Sequence, residues 1–204
     1  KLNGILTSSP IGQKQETVKS ILSKYVGRQK KGMTVHTVHR LDRETSGLLI
    51  FAKRRDVQQT LVDNWQNIVT DRKYIAVVEG DIEKDNGVVS SWLADNRMFV
   101  TYSSPIDNGG KYSVTRYYVK KRANGLTLVE LKLETGRKNQ IRVHMQDLKH
   151  SIIGDYKYGS TIDPLGRIAL HAYKIRFYHP ITNELLNIEL PIPQSFKQLF
   201  HKSN

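Results

Sequence analysis

Residues 39–47, HRLDRETSG, gather two arginines and two carboxylates directly ahead of the apolar run Leu48, Leu49, Ile50, Phe51. Asp42 stands in sequence between Arg40 and Arg43, whose guanidinium groups favour the ionised carboxylate even under partial burial. An ionised, positioned carboxylate at the mouth of a strand can act as a nucleophile, as in glycosidases. A polar loop with surface ion pairs accounts for the same residues equally well. The segment on its own leaves both readings open.

Other constellations offer less. His36 and His39 are three apart and His144 lies six before His150, but neither pair is completed by the further ligands zinc needs. Residues 154–161, GDYKYGST, have the outline of a phosphate loop without the lysine after its second glycine. No G-x-G-x-x-G or G-x-S-x-G occurs, so nucleotide cofactors and the common serine hydrolases find no support. The absence of cysteine excludes thiol nucleophiles, disulfides and Cys-ligated metals.

The elements that must hold the acidic segment follow from periodicity. Val18, Ile21, Leu22 and Tyr25 recur at helical spacing and predict a helix over 16–26, followed by a basic loop over 28–34. A buried strand is expected at 47–53, then a helix capped by Asp56 with Val57, Leu61, Trp65 and Ile68 on one stripe. A second strand is expected at 73–80. Residues 87–111 carry little pattern and read as irregular structure with short strands. A hairpin pairs 112–120 with 126–134 through Ala123-Asn124-Gly125, with a bulge in its second arm where the apolar phase slips. Ile141, Met145 and Leu148 predict a helix over 137–148. A last hairpin, 168–178 with 184–190, precedes a short helix near 195–200. Frequent hairpins argue for an α+β fold with a mixed, mostly antiparallel sheet flanked by helices and loops, and with one domain over 1–204.

Charge suggests the partner. The 204 residues carry 32 Lys+Arg against 19 Asp+Glu, a formal +13, with 38% hydrophobic residues to build a core. A polyanion is the natural counterpart, because neutralising phosphates releases counterions. An anionic membrane surface would satisfy the charge too, but no basic amphipathic helix stands out and no apolar run reaches a bilayer-spanning length. Lys53, Arg54, Arg55, Lys120, Lys121 and Arg122 are candidate contacts to a nucleic-acid backbone. The chain opens on Lys1 with no initiator Met, so residues before it are expected.

Taken together, four ordered motifs, the last in two pieces, resemble the RluA family of RNA pseudouridine synthases. HRLDRETSGLLIFAK (39–53) is similar to that family's signature, RKYIAVVEG (72–80) to its tyrosine motif, and TGRKNQIRVH (135–144) to its arginine motif. GDYKYG (154–159) and the stretch from Leu170-His171-Ala172 to His179-Pro180 resemble its closing elements. Two departures stand out: Asn139 occupies a position where the family usually has His, and Lys1-Leu2-Asn3-Gly4 replaces a Lys-Pro pattern. No small N-terminal RNA-binding domain of the kind many relatives carry is present in this chain.

The resemblance implies a pseudouridine-synthase-like catalytic domain that isomerises uridine in structured RNA, using no cofactor and no metal. It implies Asp42 as the catalytic carboxylate acting near ribose C1′, Tyr74 as the residue stacking on uracil, and Arg142 as the partner that orients Asp42. Ile141 is expected in the pocket wall, Arg40 beside the flipped nucleotide, and Arg43 and Lys53 against RNA. Large-subunit ribosomal RNA is expected ahead of transfer RNA, with a cytoplasmic, monomeric protein and no membrane association. Two competitors keep the charge and change the outcome: an RNA chaperone or assembly factor that binds without catalysis, and a glycosylase that releases free uracil.

Overall fold

The computed structural model describes residues 1–9 and 15–201. In chain order its elements are α1 (Val18–Gln29), β1 (His36–Thr37), β2 (Ser46–Gly47), β3 (Phe51–Ala52), α2 (Arg55–Asp63), α3 (Trp65–Ile68) and β4 (Val69–Glu79). They continue as β5 (Asn86–Asp95), β6 (Thr101–Ser104), β7 (Lys111–Ala123), β8 (Leu126–Leu133), α4 (Gln140–Asp147), β9 (Leu170–Tyr178), β10 (Leu185–Glu189) and α5 (Gln194–Gln198). A single 3₁₀ turn, Tyr156–Tyr158, lies between α4 and β9. The fold is α+β, and the ladders β1-β3, β10-β9, β4-β8, β5-β6, β5-β7 and β7-β8 are antiparallel. None of the described helices is long and apolar enough to cross a membrane. The chain divides into two compact units, 1–72 with 174–190 and 73–173 with 191–204.

In the first unit, α1 begins at a reciprocal cap: Ser20 N–H donates to Thr17 Oγ1 (3.1 Å) and Thr17 N–H to Ser20 Oγ (2.9 Å), satisfying two donors that a helix start leaves over. The helix runs through Arg28 and Gln29, beyond the expected boundary. Its core gathers Leu61, Ile175 and Phe177, with Val38, Leu48, Ile50, Val57, Trp65 and Ile68 packed around them. The stripe expected on the second helix is therefore real, though it is divided between α2 and α3 at Asn64. Asp56 is not the cap. Arg54 holds that position and its guanidinium takes the Asp56 carboxylate, which sits in the first turn of α2 where negative charge is favourable. The expected strand over 47–53 is two short pieces, β2 and β3, because Ile50 N–H donates to His39 Nε2 (3.1 Å) in place of a ladder partner.

The second unit is built on strands in the order β4-β8-β7-β5-β6. Tyr74 through Val78 are all buried, so β4 reads as a continuous apolar run, as a strand covered on both faces should. Asn124 (φ 57°) and Gly125 (φ 68°) turn β7 into β8 in the left-handed conformations a tight hairpin needs. The bulge exists but lies on the first arm, between Val119 and Lys121. The segment 87–111, expected as irregular structure with short strands, holds the short β6 but also all except the first residue of the ten-residue β5, paired with β7 from Asn86 to Leu93. Its Gly87, Ser90 and Ser91 and the exposed Val88 obscure the alternation, and cross-strand pairing supplies what propensity does not. Leu93, Val143 and Tyr158 form a core cluster that seats α4.

Candidate active site

Asp42 lies in the first unit, in the turn between β1 and β2, half-buried, with its carbonyl accepting from Thr45 N–H (3.2 Å). Its neighbours are pinned from three earlier points of the chain. Thr7, itself buried, brackets Leu41: its hydroxyl donates to the Leu41 carbonyl (3.0 Å) and accepts from Leu41 N–H (3.2 Å). Gly4 N–H donates to the Arg43 carbonyl (2.9 Å), and Arg43 Nε returns a bond to the Gly4 carbonyl (3.0 Å). Gly47 N–H donates to the Lys1 carbonyl (2.9 Å), while Lys1 Nζ reaches the carbonyls of Arg43 (2.9 Å) and Thr45 (2.5 Å). An ordinary polar loop needs no such strap. Thr7 carries no signal in the sequence and residues 1–4 stand out there only as a departure from the Lys-Pro pattern, since contacts 34 or more residues apart leave no local trace.

His39 closes the other side of this segment. Its ring lies 5.0 Å from the Trp65 ring, and its Nε2 accepts from Ile50. Burial, reinforced by the Arg72 charge, lowers its pKa to about 4, so it is a neutral structural acceptor near pH 7. Arg40 and Lys53 are exposed, and the Arg43 head is engaged with Gly4. Of the remaining basic candidates, Arg54 is paired with Asp56, and Arg122 donates to the Ile82 carbonyl (2.7 Å) and to Asp85 (2.7 Å). Arg122 thus serves as an internal tie more than as an open RNA contact, whereas Lys120 and Lys121 are exposed.

Tyr74, Ile141 and Arg142 belong to the second unit. Tyr74 is buried on β4 opposite Leu131; the adjacent Lys73 pairs with Glu130 (3.0 Å), which also accepts from the Tyr173 hydroxyl. Ile141 is buried in the first turn of α4. Arg142, 6% exposed, forms a bidentate pair with Asp155, 1% exposed: Nε donates to Oδ2 (2.6 Å) and Nη2 to Oδ1 (2.7 Å). Its guanidinium carbon lies 4.8 Å from the Tyr158 ring centre, and Nη1 donates to Asn139 Oδ1 (3.2 Å). Asn139 Nδ2 in turn donates to the Tyr158 hydroxyl (3.0 Å).

Asn139 adopts φ 53°, so α4 starts at Gln140 and not at 137. Asn is among the few side chains that tolerate this left-handed position. Asp155, which the sequence places in a failed phosphate loop and in one of the family's closing elements without giving it a role, is the buried carboxylate that pairs with Arg142. The one clue was a carboxylate in a motif that otherwise lacked a task. Among the described residues no group of three or more His, Cys, Asp or Glu side chains could hold a metal ion.

Residues 1–147 match the RNA pseudouridylate synthase family. The chain is 39% identical over 171 residues, 84% of its length, to YjbO, an uncharacterized RNA pseudouridine synthase of Bacillus subtilis (strain 168), and covers 60% of that protein. It is 36% identical over 176 residues to the ribosomal large subunit pseudouridine synthase D of Pasteurella multocida (strain Pm70), covering 79% of this chain and 54% of that one. Thus the chain spans little more than half the length of the curated relatives it matches. The solved structure of human RNA pseudouridylate synthase domain containing 4 superposes with a TM-score of 0.79 at 23% identity, over 97% of this chain and 85% of that one, which shows a common fold. The four ordered motifs and these matches agree: the chain belongs to the RNA pseudouridylate synthase family.

Proposed function

We propose that residues 1–204 form the catalytic domain of an RNA pseudouridine synthase, converting uridine to pseudouridine within structured RNA. The observation that carries this reading is the Asp42 turn, which lies in the family-matched segment and whose backbone is held by hydrogen bonds on both sides, from the Thr7 hydroxyl and from Gly4. The reaction breaks the bond between N1 of uracil and C1′, turns the base, and joins C5 to C1′. The C5 proton leaves to water and N1 gains a proton, so the composition of the nucleotide is unchanged. Asp42 acts at the ribose, by addition to C1′ or by removing a sugar proton. The detached uracil must be held where water is excluded, and Tyr74 and Ile141 supply the stacking and apolar surface for it.

Arg142 orients the Asp42 carboxylate and favours its charged form. The target nucleotide is extruded at a cost of roughly a few kcal/mol, with Arg40 at the vacated space or on the flipped phosphate. Arg43, Lys53, Lys120 and Lys121 make up the electrostatic contact with RNA. Large-subunit ribosomal RNA is the preferred substrate, ahead of transfer RNA, in line with the relative named for that subunit. A monomer acting in the cytoplasm, without cofactor or metal, completes the reading. Asn139 in place of the usual His does not argue for a binding-only protein, because its amide is fully integrated with Arg142 and Tyr158.

The test uses uridine-5-tritiated RNA lacking the modification, incubated with wild-type protein and with Asp42→Asn. Wild-type protein is expected to release tritium to water and Asp42→Asn to release none while still binding RNA. Turnover by Asp42→Asn would refute the role given to that carboxylate, and free uracil in the products would indicate a glycosylase.

A further inference from the structure

We propose that Asp155, assisted by Asn139 and Tyr158, is a positioning residue for catalysis that acts through Arg142; this rests on the reading of Arg142 as the residue that orients Asp42. A buried ion pair is a poor device for stability alone, since desolvation offsets much of the Coulombic gain. What it does well is fix direction. The Asp155 carboxylate takes the Nε and Nη2 donors of Arg142, the Tyr158 ring covers one face of the guanidinium, and Asn139 holds Nη1. With two edges and a face determined, the plane of the group and the direction of its Nη1–Nη2 edge are set before any substrate arrives.

Asp155 is itself rigidly mounted. Its N–H donates to the Ile152 carbonyl (3.0 Å), and its own carbonyl accepts from Tyr158 (2.9 Å) and Ser160 (3.1 Å). The preceding Gly154 has φ +79°, and a Cβ there would stand 2.3 Å from the Arg167 carbonyl oxygen, so the backbone packs where no other residue fits. Glu79 fastens the far end of the loop, accepting from Ser160 Oγ (2.6 Å), Thr161 N–H (2.6 Å) and Thr161 Oγ1 (2.7 Å). Burial raises the Glu79 pKa, but these bonds outweigh it and hold the carboxyl below its ordinary value, so it stays ionised as an acceptor. The motif that resembles a phosphate loop is therefore a bracket for one carboxylate.

The experiment measures tritium release, RNA affinity and thermal unfolding for wild-type protein, Asp155→Asn, Arg142→Lys and the double variant. Asp155→Asn is expected to lower kcat about 100-fold, the scale of an ångström-level misplacement, with KM for RNA nearly unchanged. In the Arg142→Lys background the same change should cost almost nothing further, because the two residues act as one unit. An equal fractional loss in both backgrounds, or wild-type kcat in Asp155→Asn, overturns the proposal. Should Asp155→Asn fail to fold, Asn139→Gly keeps the left-handed backbone and removes only the amide. It is expected to lower kcat several-fold at unchanged KM, and wild-type kcat in it overturns the proposal. Wild-type protein that releases no tritium overturns the underlying reading instead, and this inference with it.

Discussion

Replacing His144 with glutamine tests how α4, the helix that carries Arg142, is seated. His144 is fully buried, with Nδ1 against Thr115 Oγ1 (2.8 Å) on β7 and Nε2 against Ser91 Oγ (3.1 Å) on β5. Both partners are hydroxyls that carry no charge, and burial lowers its pKa to about 4 from 6.5. Between those values the unfolded chain binds a proton that the folded one refuses, so stability rises with pH through this window and is lost as pH falls through it. One proton corresponds to about 1.4 kcal/mol per pH unit, so neutral burial of His144 should cost the wild type about 2 kcal/mol between pH 7 and pH 5. Glutamine does not titrate and keeps one of the two hydrogen bonds. At pH 7 the variant should be less stable by about 1–3 kcal/mol, the usual cost of a lost buried partner. Urea unfolding of both proteins at several pH values from 7.5 to 5.0 gives the difference directly, because His39, His171 and the carboxylates contribute equally to both. The gap should close, or reverse sign, as pH falls to 5. A gap independent of pH would refute the neutral, hydroxyl-bonded His144.

Two further perturbations probe backbone placement. Phe99, 76% exposed, is held at φ 58°, a conformation that costs a bulky side chain about 1–2 kcal/mol, so Phe99→Gly should raise Tm by about 2 °C in spite of glycine's freedom when unfolded; an unchanged or lower Tm would contradict that strain. Thr7→Val removes the hydroxyl that brackets Leu41 and leaves two buried backbone groups unpaired, at about 1–3 kcal/mol; tritium release should fall more than RNA binding does, and equal losses in both would separate Thr7 from the Asp42 turn.

What was legible in the sequence was local. Asn124-Gly125 announces its hairpin because only a few residues accept two successive left-handed conformations, and the run around Tyr74 announces a buried strand through its own hydrophobicity. Asp42 was legible as a chemical group, but physics alone left it even with a surface ion pair; the ordered motifs made the difference. The illegible parts depend on distance along the chain. β5 exists because β7 pairs with it, the bulge sits on the arm that pattern did not mark, and the start of α4 is set by one left-handed asparagine. Thr7 reaches Leu41 across 34 residues and Arg142 reaches Asp155 across 13, and no periodicity records either.

A fixed backbone settles more for one of the two charged groups proposed to act at the reacting ribose, Asp42, than for the other, Arg142, and side-chain length explains why. Aspartate has only two side-chain torsions, so a fixed backbone limits its carboxylate to a few positions. The main chain of the Asp42 turn is fixed by bonds to the backbone of Lys1 and Gly4 and to the Thr7 hydroxyl. Arginine carries about 2 kcal/mol of rotamer entropy, and a rigid helix determines only where its side chain begins. Its far end must be gripped directly, by groups that match a planar fork, and Asp155, Asn139 and Tyr158 do so from three directions. A lysine at 142 would retain the charge and lose the match to this grip, since an ammonium neither pairs bidentately nor presents a plane to Tyr158. On the role proposed for Arg142, a loosened grip should register in kcat before it registers in RNA affinity.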